Sequence, residues 1–232
     1  MNNIQRLIEK EVLIWSKREE MARRKQEIPE EWPVITISRE FGARGRSLAK
    51  ELGRRIGFKV WDKELLSAIA EEAGADERFL ASLDERRRKM IDDTLYGSLM
   101  GSKHSNTHYF RSLLNVVHTI EAHGKSIIVG RGGNYILKSR TVLRIRIVCP
   151  MKQRVSFLAK QEGISENDAR KLVIARDASR DDFIRHYFKQ DSGNSHDYDL
   201  VLNSGVFNIE QLADLTLLAY EKKVEKSAPI KK

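Results

Sequence analysis

A single cysteine, Cys149, stands in a chain of 232 residues. No intramolecular disulfide can form, so the fold rests on its core, and a reducing compartment is expected. No stretch approaches the roughly 20 consecutive apolar residues needed to cross a bilayer. The opening, MNNIQRLIEKEVLIW, has charges scattered through it and lacks the apolar centre of a signal peptide. These absences point to a cytoplasmic protein with no membrane partner. The six histidines show no metal-ligand spacing; His104 and His108 lie in a Gly/Ser-rich segment with no third ligand. No motif supports Ser–His–Asp chemistry. There is no internal repeat, no long basic tail and no aromatic-rich strand of the kind that stacks bases. The formal charge of +9 is compatible with nucleic acid, a membrane surface or small phosphates. Its densest clusters, Arg23 to Lys25 and Arg86 to Lys89, sit in helical patterns beside acidic residues and read as solvated faces. Nucleic acid is therefore not an expected partner.

What is present is a regular alternation. Five apolar runs recur: VITIS (34–38), FKVW (58–61), SIIVG (126–130), VLRIRIV (142–148) and YDLVLN (198–203). Most are rich in β-branched residues, and helical patterns separate them. That order predicts an α/β fold, a parallel five-stranded sheet with helices on both faces. The third run is apolar throughout, as suits a strand buried on both sides. The fourth alternates, with Arg144 and Arg146 on one side, which places it nearer an edge. Residues 1–27 read as one amphipathic helix, and IPEEWP (28–33) ends it. Residues 1–33 thus form an N-terminal extension, which either packs on the main domain or makes a homodimer contact. The main domain spans 34–222 and the tail 223–232. Residues 62–124 read as a helical insertion with a loop at GSLMGSKHSNTH (97–108). Residues 150–190 form a second, highly charged helical stretch.

At the end of the first run, REFGARGRS (39–47) turns from strand to helix. The unsatisfied N–H groups of a first helical turn and the helix dipole favour an anion there. Gly42 and Gly45 allow close backbone approach, and Ser47 offers a hydroxyl. From these residues alone, a phosphate site and a plain turn both remain open. Arg39 and Glu40 end a buried strand and need partners, either each other or, for Arg39, a phosphate. Asp62 ends the second run, where it can cap the next helix. Gly132 and Gly133 can form a small anion nest.

ITISREFGARGRSLAKELGRRIGFKVWDKELL (35–66) resembles the opening of the cytidylate kinase-like family, relatives of the bacterial cytidylate kinases among the P-loop nucleoside monophosphate kinases. IIVGRGGNYIL (127–137) resembles a second block of that family, and YDLVLNSGVFNIEQLADL (198–215) a third. In order, the blocks run across nearly all of 34–220. The resemblance implies a P-loop kinase domain over 34–222. Its first strand would be central, 62–124 would embrace the acceptor nucleotide, and 150–190 would form a basic lid.

It further implies an ATP-dependent kinase with a nucleoside monophosphate acceptor, CMP or dCMP first. Phosphates would be bound by Arg39, Gly42, Ala43, Arg44, Gly45, Arg46 and Ser47, with Ser47 also on Mg2+ carried with ATP. Arg46, Arg131, Arg176 and Arg180 would neutralise the transferring group. Asp62, Arg131 and Gly132 would place the acceptor, and Arg176, Asp177, Arg180 and Arg185 would belong to the lid. Asp181 and Asp182 would hold those arginines until substrate arrives.

Two departures from the family pattern stand out. Aligned on Ser47 as the hydroxyl, Arg39 takes the first-glycine place. In the register of bacterial cytidylate kinases, Gly45 then takes the lysine place and Arg46 follows, so the phosphate-binding lysine is absent. The aspartate that follows the second-block arginine in cytidylate kinases is here Gly132. A nucleotide-binding sensor with little transfer activity is the alternative these departures favour. A basic protein acting on nucleic acid or another phosphorylated substrate is a third reading, which no motif requires.

Overall fold

The computed structural model describes residues 3–25, 33–99 and 108–227. The chain divides into two compact units, one built from 34–62 and 125–232, the other from the residues up to 33 and 63–124.

The first unit contains the sheet. Its strands are β1 (Val34–Arg39), β2 (Lys59–Trp61), β3 (Ser126–Val129), β4 (Val142–Val148) and β5 (Leu200–Asn203). All pairings are parallel, in the order β2-β3-β1-β4-β5. All five apolar runs are strands, and β1 is central, as expected. β3 is buried at every position, which its unbroken apolar sequence requires. β4 pairs with β1 on one side and β5 on the other, so it is interior but next to an edge. Its alternation sends Leu143, Ile145 and Ile147 into a core with Ile35, Ile37, Ile127 and Val129. α2 (Gly45–Ile56) adds Leu48, Ala49 and Leu52 to that core, and α10 (Ile209–Ser227) adds Leu212 and Ala213. The arginines of the other β4 face have polar neighbours. Arg144 meets Asp199 at 3.1 Å, and Arg146 lies 3.4 Å from both Ser38 Oγ and the Tyr198 hydroxyl. Burial opposes ionisation of Asp199, but hydrogen bonds from Arg144 and Lys223 hold its carboxyl below the usual range.

Two helices, α8 (Met151–Glu162) and α9 (Glu166–Phe188), follow β4. They share an apolar seam of Val155, Leu158, Ala169 and Val173. Ser165 caps α9 by accepting from Asp168 N–H.

The second unit is helical: α1 (Asn3–Lys25), α3 (Lys63–Glu71), α4 (Ala75–Ala81), α5 (Glu85–Leu99) and α6 (His108–His123). The extension packs within this unit. Ile8 and Trp15 on α1 are buried, and the Trp15 ring stacks on His123 at 4.3 Å and meets Phe79 edge-on at 5.0 Å. His123 Nε2 lies 2.9 Å from Ser82 Oγ. Burial, reinforced by Arg87 and Arg18, pushes the His123 pKa down to about 3. Most of the expected break at 28–33 and most of the expected loop at 97–108 lie outside the described residues, as does the end of the tail.

Candidate functional site

Two glycine turns sit side by side at the carboxyl ends of β1 and β3. The first, 40–44, leads into α2. Gly42 (φ 81°) and Arg44 (φ 59°) are both left-handed, and Arg44 is the N-cap of α2 with no side-chain cap bond. The first hydrogen bond of that helix runs from Leu48 N–H to Arg44 C=O. The N–H groups of Gly45, Arg46 and Ser47 precede that bond, at the positive end of the helix dipole. Ser47 is exposed, and Ala43 is buried with its N–H on Glu40 C=O.

The second turn, 130–132, leads into the short α7 (Gly133–Ile136). Gly130, Arg131 and Gly132 are all left-handed, at φ 81°, 52° and 69°. Glycine at 130 has a second reason. A Cβ there would land on the Arg39 guanidinium, and one on Gly45 would meet the Arg39 stem at 2.9 Å. Arg39 thus passes over Gly45 and reaches Gly130, spanning from one turn to the other. The anion nest expected at Gly132 and Gly133 is not left open. Gly133 N–H donates to Gly130 C=O at 3.1 Å, and the Phe188 ring stands where a Cβ on Gly132 would be.

The other candidates separate into two groups. Arg46, half-exposed, lies 3.6 Å from Asp62, so the acid at the end of β2 faces the first turn of α2. Arg131 lies over the Phe183 ring at 4.8 Å. Arg180 donates to Arg39 C=O at 3.0 Å and lies over the Phe41 ring at 5.2 Å. These arginines, with Arg39, border the two turns. Arg44 is a correction to the expected phosphate cations: its guanidinium donates to the carbonyls of Ser204 and Phe207. The left-handed N-cap directs its side chain toward the β5–α10 connection. On α9, Arg176 is exposed, and Arg185, exposed on the opposite flank of the helix, pairs with Asp182 at 2.6 Å. Asp177 points inward instead, accepting from Phe41 N–H at 2.7 Å. Asp181 accepts from Ser192 Oγ at 2.5 Å rather than from an arginine.

Two residues that spacing did not single out, Arg154 and Phe188, organise this end of the sheet. Arg154, buried on α8, ion-pairs with Asp177, lies 3.6 Å from Glu40, and donates to Cys149 C=O and Phe41 C=O. Glu40 accepts from Cys149 N–H at 2.8 Å, so it finds its partners here rather than in Arg39. A signal for Arg154 existed. Met151, Arg154, Val155 and Leu158 share one helical face, and an arginine on an inward face must find acidic partners. The second residue, Phe188, stacks on Tyr135 at 5.5 Å. Burial, then Tyr198, raises the pKa of the Tyr135 hydroxyl, which lies 3.2 Å from Asp197 Oδ2.

A parallel sheet whose central strand ends in a glycine turn that opens a helix defines a phosphate-loop α/β fold. The chain belongs to the cytidylate kinase-like family, whose model matches residues 34–206. Among solved structures, an uncharacterized protein from Eubacterium ventriosum ATCC 27560 is similar at TM-score 0.65 and 20% identity, over 83% of this chain and 99% of that one. Shikimate kinase from Bacteroides thetaiotaomicron is similar at TM-score 0.43 and 13% identity, over 83% and 98%. A curated relative, uronate isomerase of Corynebacterium glutamicum, is 29% identical over 98 residues, 42% of this chain; the match spans only 19% of that protein's length.

Proposed function

We propose that the chain transfers the γ-phosphoryl group of ATP to a nucleoside monophosphate, CMP or dCMP, giving ADP and the diphosphate. One observation carries this reading: the glycine turn that opens α2 lies at the carboxyl end of the central strand of a cytidylate kinase-like domain. The N–H groups of Gly45, Arg46 and Ser47 would receive triphosphate oxygens. Arg39, Arg46, Arg131 and Arg180 would neutralise charge as the phosphoryl group moves, guanidinium being able to bind phosphate with two parallel hydrogen bonds. Arg176, exposed on the same helix as Arg180, would be a further cation for the acceptor. Asp62 would place the acceptor and steady Arg46.

Mg2+ fits this site as an ion held chiefly by the triphosphate, with the exposed Ser47 hydroxyl as its protein ligand. Mg2+ commonly takes one or two protein groups beside phosphates and waters. Among the described residues no group of three or more His, Cys, Asp or Glu could hold a metal by itself. The ion would supply charge neutralisation at the β- and γ-phosphates.

A second reading is favoured by one feature. Glycine stands in the lysine place, and the Arg44 side chain that could substitute for it is engaged with carbonyls. That reading is a nucleotide-binding protein with little transfer activity. The deciding experiment measures ADP formation with ATP and Mg2+ and, one at a time, CMP, dCMP, UMP and AMP. An Arg46→Ala, Arg131→Ala double variant is the control. Turnover with one acceptor, lost in the variant, supports the kinase. Retained ATP binding with no turnover for any acceptor replaces it with the binding protein.

A further inference from the structure

We infer that Asp177 is a positioning residue that sets the conformation of the phosphate turn, and that α9 is a fixed strut across both glycine turns. This rests on reading residues 40–47 as the phosphate turn. Both backbone polar groups of Phe41 are held from the α8–α9 hairpin: the N–H donates to Asp177 Oδ1 at 2.7 Å, and the C=O accepts from Arg154 at 3.1 Å. The C=O of Arg39 is held by Arg180 at 3.0 Å. Gly42 lies against α8, where an added Cβ would meet Arg154 Cβ at 3.2 Å.

The residues just beyond this grip need it. Arg44 is a non-glycine residue in the left-handed region, a strained conformation that persists only where the surroundings impose it. A carboxylate on a backbone N–H is a charge-assisted bond, stronger than a neutral one. Asp177 is itself fixed by buried Arg154, which Glu40 and Cys149 C=O hold in turn. The side chain that anchors the turn therefore cannot drift with solvent. About two and three turns further along α9, Phe183 lies under Arg131 and Phe188 covers Gly132. A single helix thus restrains both glycine turns and fixes their spacing before any nucleotide arrives. The phosphate site is preorganised by α9.

The test compares the parent with Asp177→Ala, Asp177→Asn and Ser165→Ala. Ser165→Ala weakens the same hairpin at the N-cap of α9, about three helical turns from Asp177. Amide hydrogen exchange is read on peptides covering 40–47 in nucleotide-free protein, and calorimetry reads binding of Mg-ATP, pyrophosphate and CMP. Asp177→Ala should raise exchange at the turn tenfold or more and weaken ATP and pyrophosphate by a similar factor, with CMP affinity unchanged. Asp177→Asn keeps an acceptor for Phe41 N–H and should fall between. Ser165→Ala should lower thermal stability and leave turn exchange and ATP affinity near the parent values. Unchanged turn exchange in Asp177→Ala, or an equal rise in Ser165→Ala, would overturn the inference. A parent that binds no ATP would sink the kinase reading, and turn exchange would still decide the role of Asp177.

Discussion

Acidification should destabilise the protein through His123, and the size of the effect can be worked out. The ring is buried, stacked on Trp15, and its Nε2 lies beside Ser82 Oγ, which also donates to Phe79 C=O at 2.6 Å. Ser82 Oγ then acts as acceptor toward His123, so the neutral ring carries its proton on Nε2. Burial, with Arg87 and Arg18 nearby, lowers the pKa from the ordinary 6.5 to about 3. The sign follows from proton counting. Between those two values the unfolded chain holds a proton that the folded chain lacks, so stability falls as pH falls through that window. It is unaffected by this group above about 6.5. Each pH unit inside the window removes roughly 1.4 kcal/mol, so a shift from pH 6 to 4.5 should cost about 2 kcal/mol.

His123→Phe keeps the ring stack and removes the titration. Groups remote from the ring titrate alike in both proteins and cancel in the difference. Urea unfolding followed by tryptophan fluorescence at several pH values gives the two stability curves. The curves should converge toward low pH by about that amount, the parent falling faster. Parallel curves between pH 6 and 4.5 would refute the argument.

Two substitutions at the turns separate structural from ligand-binding roles. Gly132→Ala meets both a left-handed backbone and the Phe188 ring, and should cost about 2–4 kcal/mol; a melting temperature within a degree or two of the parent would show that the ring moves aside freely. Arg44→Ala removes charged hydrogen bonds to Ser204 and Phe207 carbonyls, so it should lower stability by about 1–2 kcal/mol and change ATP affinity less than threefold. A tenfold loss of ATP affinity at unchanged stability would return that guanidinium to the phosphates.

The strands were legible because each is a short apolar run, and parallel strands buried on both faces leave little room for polar residues. The alternation in β4 placed its arginines on one face correctly. It did not reveal that Asp199, Ser38 and Tyr198 would accommodate them one strand in from the edge. Asp62 was legible as a residue at the end of β2, but not as the partner of Arg46, because spacing along a chain does not say which element ends will meet. The same limit hid the Arg154 cluster. Its partners, Glu40 and Phe41, lie more than a hundred residues earlier, and only the sheet order brings α8 beside the β1 turn. Arg44 misled for a local reason. Composition shows a cation in a glycine turn, whereas the left-handed φ that aims its side chain elsewhere is a property of the folded backbone.

Within the helical unit, the segment 63–124 leaves the sheet after β2 and returns just before β3, two strands that are parallel neighbours. Its entry and exit are therefore at opposite ends of the strands, about 10 Å or more apart. It is not a loop excursion that could be cut out and its ends rejoined by a short tether. It is the crossover itself, and the parallel pair demands a connection of a dozen residues or more whatever that connection contains. Helices can be exchanged, lengthened or shortened within 63–124 and the sheet still closes, but the segment cannot shrink to a hairpin without reversing β3. The helical unit is thus a place where variation in content is cheap and deletion is forbidden by topology.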